Sequence, residues 1–274
     1  MTRKLTIVKV GGAVVEDESQ LTQLLKDFCN IEGAKILVHG GGRRATKIAE
    51  RLGIETKMVN GRRITDADML EVVTMVYGGL VNKTVVARLQ ALGCNAIGLT
   101  GADANILLSE KRPPVKISPI SPIGPMGPIE FIDFGFVGDV KQADGAKIAH
   151  FIDAGLTPVI APLTHDGQGH MLNTNADTMA SETAKAMAAA GYEVTLIFAF
   201  EKPGVLRNAD DDSSVIATIN HADFESYKAD GTISGGMLPK IENALAAVDA
   251  GVKRVIITKA TAIDGQHGTI VSEA

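Results

Sequence analysis

The sequence predicts an α/β fold on a mainly parallel, right-handed sheet, and three observations carry that prediction. Short apolar runs alternate with amphipathic helical stretches along most of the 274 residues, which is the pattern of strand–helix–strand crossovers. Apolar residues make up 45% of the chain but aromatics only 4%, with no tryptophan, so the core must be aliphatic and alanine-rich, as suits strands covered by helices. Two apolar runs, 7–10 and 36–39, end directly in Gly11-Gly12 and Gly40-Gly41-Gly42. Glycines at a strand end let the backbone approach a charged ligand with N–H groups free.

The elements follow in order. After the first glycine turn, Leu21, Leu24, Leu25 and Phe28 recur at helical spacing, and the second turn opens a helix with Ala45, Ile48, Ala49 and Leu52 on one face. Thr65 stands three residues before Asp68, resembling a capping box with Asp in the Glu/Gln place. The helix it predicts runs through Met69, Val72, Val73 and Val76, is interrupted at Gly78-Gly79, and resumes as far as Leu92, where Gly93 stops it. Small residues in the middle of so long a helix fit either a subunit interface or a kink over the protein's own core. Residues 96–99 read as a strand. Residues 111–138 are rich in proline and glycine, which excludes a helix and predicts short β-hairpins and turns, with 129–134 the best strand. A helix through Ile148, Ile152 and Ala154 ends at Gly155 and leads to a strand at 158–161. The second half repeats the rhythm, with helices at 177–190 and 237–250 and strands at 194–198 and 255–258. No compositional linker separates the halves, so one continuous sheet is expected.

Charge and composition exclude several function classes. A net charge of −5, with no Lys/Arg cluster beside stacking aromatics, argues against nucleic acid as a partner. Cys29 and Cys94 lack a C-x-x-C partner and read as buried, reduced thiols of a cytoplasmic protein. Met1-Thr2-Arg3-Lys4 leads into no signal-peptide core, and no uninterrupted apolar run approaches about 20 residues, so no membrane association is expected. No P-loop, G-x-G-x-x-G, zinc motif or nucleophile elbow is present.

Several motifs carry chemistry. Lys9, two residues ahead of Gly11-Gly12, fits a phosphate site or a lysine snorkelling from a strand end. His39 fits a ligand contact or a pin that hydrogen-bonds its own loop. Arg62 and Arg63 follow the Asn60-Gly61 turn, where arginine suits bidentate carboxylate binding or simple solvation. Asn173, Asn175 and Asp177 alternate, so an extended segment would aim all three to one side, although Asp177 could instead cap the next helix. Lys240 falls on the first turns of a helix, against the positive end of the helix dipole, which makes sense if an anion sits nearby.

Along the chain stand Lys9-x-Gly11-Gly12, His39-Gly-Gly-Gly42, Asn60-Gly-x-Arg63-x-Thr65, Gly98-Leu-Thr-Gly101, Pro158-Val-Ile-Ala-Pro162, Asn173-x-Asn175-Ala-Asp177 and Gly235-Gly-Met-x-Pro-Lys240. Together, and in this order from Lys9 to about Thr258, they resemble the amino acid kinase family, and within it the branch acting on acylated glutamate. The resemblance implies an open αβα sandwich around a mostly parallel sheet. Its N-terminal lobe (1–170) would bind the acyl-amino-acid and form a homodimer; its C-terminal lobe (171–274) would bind ATP, with Mg²⁺ carried by the nucleotide. The implied reaction is ATP-dependent phosphorylation of the side-chain carboxylate of N-acetyl-L-glutamate or N-succinyl-L-glutamate in arginine biosynthesis. By position, Lys9 and Lys240 would stabilise the transferring phosphoryl group and Asp177 would orient them. Gly11, Gly12, Gly41 and Gly42 would supply backbone donors to phosphate and substrate. Arg63 and Asn173 would hold the substrate, with Asn175 beside them, and Glu201, Gly204, Leu206, Thr232 and Ser234 would line the nucleotide. The chemistry agrees on independent grounds: a carboxylate nucleophile is already ionised at pH 7 and needs no general base, and phosphoryl transfer is mainly positioning and charge stabilisation.

The sequence departs from the family pattern in three places. The nucleotide loop reads Phe200-Glu201-Lys202-Pro203-Gly204, where a Ser/Thr-Asp-Val stretch is common. The strand carrying Lys9 starts almost at the first residue, without the extra N-terminal helix of arginine-inhibited hexamers, which implies a dimer without that feedback. Arg43 and Arg44 follow the triple glycine; they read either as a solvated pair or as an acyl-pocket contact to a second carboxylate, which would favour the succinyl substrate. Two other readings stay open: an amino acid kinase with an aminoadipate, aspartate, glutamate or carbamate acceptor, and a nucleotide or metabolite sensor without catalysis.

Overall fold

The computed structural model describes residues 3–59, 62–117 and 130–273; Asn60, Gly61 and the first residue of the expected 129–134 strand lie outside them. Eight strands form the main sheet: β1 (Arg3–Val10), β2 (Ala34–His39), β3 (Ala96–Leu99), β4 (Thr157–Ile160), β5 (Tyr192–Phe200), β6 (Thr218–Ile219), β7 (Arg254–Lys259) and β8 (Thr269–Val271). Their order across the sheet is β6-β8-β7-β5-β1-β2-β4-β3. Every pairing is parallel except β7 with β8. The helices are α1 (Gly12–Glu16), α2 (Glu18–Asn30), α3 (Gly42–Arg51), α4 (Ala67–Ala91), α5 (Gly145–Asp153), α6 (Ala176–Ala189), α7 (His221–Ala229) and α8 (Leu238–Asp249).

The strand period of two sorts the core into two layers. Leu5, Ile7, Ile36, Val38, Leu196 and Phe198 pack on one face with Met179, Ala184, Ile241 and Leu245 from α6 and α8. Val8, Val10, Leu37 and Ile197 pack on the other with Leu21, Leu24 and Phe28 of α2 and Met69, Val72 and Val76 of α4. Each fully buried Leu or Phe contributes roughly 1.5–3 kcal/mol, and the alanines let α6 lie close to the strands. This is the αβα sandwich expected. The free thiols fall in the second layer, Cys94 buried and Cys29 half-buried.

Helix α4 differs from the sequence reading at two points. Its cap is Asp66, whose carboxylate accepts from Met69 N at 2.9 Å. Thr65 is instead fully buried, with its backbone bridged to Gly135, so no Thr65–Asp68 box forms. Gly78-Gly79 do not interrupt the helix; residues Thr74–Val81 wind as a π-helix within it. A Cβ on Gly78 would lie 3.4 Å from Leu163, whereas Gly79 has nothing within 4 Å and its neighbours Met75 and Leu80 are exposed. By length and composition α4 could cross a bilayer, yet Met69, Val72, Val73, Val76, Val85 and Leu89 are buried against the second core layer.

A smaller sheet orders Met171–Asn173, Leu163–His165, Leu107–Lys111 and Gly138–Ala143, and Val115–Ile117 pairs with Glu130–Ile132 as a hairpin, within the segment expected to form one. The sequence reading missed β6, α7 and β8, whose runs are short.

Candidate active site

The site lies at the carboxyl ends of β1, β2 and β5. Strand β1 runs into Gly11-Gly12 and β2 into Gly40-Gly41-Gly42, and the two turns touch backbone to backbone. Gly40 N donates to Val10 O at 2.9 Å, and a Cβ on Gly40 would stand 3.0 Å from Gly12 N. Helices α1 and α3 begin at these turns without a side-chain cap, which leaves their first N–H groups for a ligand. His39, fully buried, fixes the second turn: its Nδ1 lies 2.9 Å from Gly40 O and its Nε2 3.1 Å from Asn82 Nδ2. Because an amide nitrogen only donates, Nε2 accepts and Nδ1–H donates. Burial pushes the imidazole down to about 4, so His39 is a neutral pin and not a ligand contact.

Three charged residues remote in sequence converge here. Lys9, nearly buried at the end of β1, places Nζ 2.7 Å from Asp177 Oδ1 on the first turn of α6. Lys240 comes from the first turn of α8, and its Nζ lies 3.5 Å from the ring centroid of Phe200, the last residue of β5. Lys9 Nζ is 5.1 Å from the same ring. Burial lowers the Lys240 ammonium's pKa; the Asp177 charge opposes that shift and the Lys9 charge adds to it.

The profile of the amino acid kinase family matches residues 4–259. The chain belongs to the amino acid kinase family. It is 58% identical over 273 residues to an acetylglutamate kinase of Bacteroides fragilis, covering 100% of this chain and 98% of that one. It also resembles the solved structure of smu.665 from Streptococcus mutans UA159 (TM-score 0.75, 26% identity, 98% and 99% of the two chains covered). Carbamate kinase from Giardia lamblia shares the fold (TM-score 0.67, 14% identity, 99% of each chain covered).

Around these three charges, the structure sorts the residues that the family resemblance assigns. Arg63 is anchored on the start of α3: Nη2 donates to Gly42 O and to Thr46 Oγ1, both at 2.8 Å. With Arg43, Thr56 and Met58 it lines an open cleft of ≈ 610 Å³. Asn173 donates to Thr65 Oγ1 at 2.9 Å. The expected one-sided array of Asn173, Asn175 and Asp177 does not form, because α6 already starts at Ala176. Asn175 spends its Oδ1 on capping that helix, accepting from Asp177 N at 2.7 Å and Thr178 N at 3.3 Å. Arg43 reaches across to Glu201, 3.7 Å away with both side chains exposed, and Arg44 is exposed outside the cleft.

Of the residues that the resemblance assigns to the nucleotide, Glu201 and Ser234 are exposed and Leu206 and Thr232 half-buried. Gly204 is buried, and a Cβ there would fall 2.8 Å from Thr269 Oγ1 and from Val215. That glycine seats the loop on β8. Sequence reasoning missed two residues at the site. Tyr77 closes on Gly41, where a Cβ would lie 2.8 Å from its ring. Phe200 registered only as a departure from the family pattern.

Proposed function

We propose that this chain transfers the γ-phosphoryl group of ATP to the side-chain carboxylate of N-acetyl-L-glutamate, a step of arginine biosynthesis. The observation that carries the reading is the convergence of Lys9, Asp177 and Lys240 beside two abutting glycine turns. The 58% identity to an acetylglutamate kinase supports the choice of acceptor. A carboxylate oxygen attacks the γ-phosphorus, the bond to the β–γ bridging oxygen breaks, and ADP leaves with that electron pair; no proton moves. Lys9 and Lys240 meet the charge that develops on the phosphoryl oxygens, and each such donor is worth about 3–4 kcal/mol in the transition state. Asp177 holds Lys9 in place. The N–H groups at Gly11, Gly12, Gly41 and Gly42 bind phosphate and acceptor, Arg63 and Asn173 hold the acceptor's far end, and Glu201, Leu206, Thr232 and Ser234 border the nucleotide.

Among the described residues no acidic cluster suits a resident metal, and Asp177 is engaged by Lys9. Mg²⁺ would arrive as part of the ATP substrate. We assign acceptor binding to residues 1–170 and nucleotide binding to 171–274, in a cytoplasmic homodimer. The succinyl alternative rests on Arg43 lining the cleft with Arg63; a second carboxylate there would have to displace Glu201. ADP release measured with N-acetylglutamate, N-succinylglutamate, aminoadipate, aspartate, glutamate and carbamate tests the reading. The expected result is turnover with an acylated glutamate at kcat/KM at least tenfold above the rest. Arg43→Ala separates the two acyl forms, because only succinyl turnover would depend on that guanidinium. No ADP release with any acceptor would leave the sensor reading in its place.

A further inference from the structure

Two ammonium groups share one small site, and among the described residues Asp177 is the only carboxylate within ion-pair distance of either. Asp177 takes Lys9 at 2.7 Å. Among the described residues no carboxylate lies within ion-pair distance of Lys240; its ammonium rests instead 3.5 Å from the centroid of the Phe200 ring. Lys9 Nζ lies 5.1 Å from that ring. The ring is held in turn. Phe200 ends β5 opposite Lys259 of β7, and its ring stacks on the buried Phe198 at 6.1 Å between centroids with 16° between the planes.

We infer that Phe200 is a positioning residue for phosphoryl transfer: its ring face holds the Lys240 ammonium beside Lys9 without neutralising it. The inference rests on the kinase reading above. An aromatic face attracts a cation through its quadrupole but carries no charge. A second carboxylate would hold Lys240 as firmly and cancel the charge the phosphoryl oxygens need. The ring leaves the N–H donors on the far side of the Lys240 ammonium available, and its contact offsets part of the repulsion from Lys9. Lys240, being partly buried, gains more from such a contact than an exposed lysine does.

The test compares wild type with Phe200→Leu, which keeps apolar bulk and removes the ring, and with Phe200→Tyr, which keeps the ring. Phe200→Leu should lower kcat roughly tenfold while KM for the acceptor stays within twofold, and Phe200→Tyr should recover most of that loss. Replacing Phe200 by mono-, di- and trifluorophenylalanine weakens the negative face at nearly constant shape and should lower log kcat in proportion to fluorine number. NMR of lysine-labelled protein supplies a readout independent of turnover. The Lys240 ε-protons should resonate upfield in wild type and lose that shift in Phe200→Leu. A flat fluorine series, or a Lys240 resonance unmoved by Phe200→Leu, overturns the role of the ring. A wild-type enzyme inactive on every acceptor overturns the kinase reading instead.

Discussion

Lys9 and Lys240 bring the same charge to the site by different routes, and the difference can be measured. Lys9→Ala and Lys240→Ala should each lower kcat by about a hundred- to thousandfold with the protein still folded; a variant with near-normal kcat would remove that lysine from the mechanism. Their stabilities should diverge. Lys9 and Asp177 are a largely buried pair, so Lys9→Ala leaves an unmatched carboxylate and should cost about 3 kcal/mol, read by urea unfolding. Lys240→Ala strands no buried carboxylate and should unfold near the wild-type midpoint. His39 sets a pH dependence. Its pKa is about 4 when folded, against 6.5 for the free imidazole, so between these values the unfolded chain binds a proton that the native state refuses. Stability from this residue is therefore full above pH 6.5, falls as pH drops, and is lost by about pH 4, roughly 3 kcal/mol in all. His39→Asn, which cannot titrate, should show a correspondingly flatter profile of unfolding midpoint against pH over that window.

At the scale of elements, helix starts do most of the positioning. Asn175 caps α6, the helix that carries Asp177. Asn175→Ala should cost about 1 kcal/mol, and Asn175→Ser, which can still cap, only a few tenths; thermal unfolding of the pair reads the cap, and KM for the acceptor reads any contact of the amide with substrate. The Gly41 turn is as tight. A Cβ there meets the Tyr77 ring at 2.8 Å, so Gly41→Ala should displace the start of α3 and raise KM for the acceptor severalfold, at an overpacking cost of about 1–3 kcal/mol. These elements show where sequence reading succeeds. The glycine turns and the strands before them were legible because apolar run, glycine and helix are adjacent in the chain. The Thr65 cap failed because Thr65 is claimed by Gly135 and Asn173, partners remote in sequence, and no local spacing reports that. The alternation of Asn173, Asn175 and Asp177 failed for a subtler reason: asparagine begins helices as readily as it lines extended segments. Phe200 was visible as an oddity, but its contact with Lys240 exists only once β5 and α8 are packed.

At the scale of the molecule, the sheet brings the site together, and the long helix leaves part of an apolar face exposed. Gly79 is open, and Met75 and Leu80 are exposed at 54% and 45% beside it, although other positions of α4 are core. If this face joins two chains, sedimentation equilibrium should give a dimer, and Met75→Glu with Leu80→Glu should shift it to monomer. A monomer at every concentration would assign the small residues to the π-helical turn alone. The position of β1 has its own consequence. The strand lies inside the sheet, bonded along its length to β2 and β5, so Lys9 hangs from hydrogen bonds among the last to open. Amide protons at Val8 to Val10 should therefore exchange with deuterium only through global unfolding. On heating, this enzyme should not lose activity first and structure later, because the strand that carries Lys9 melts with the whole.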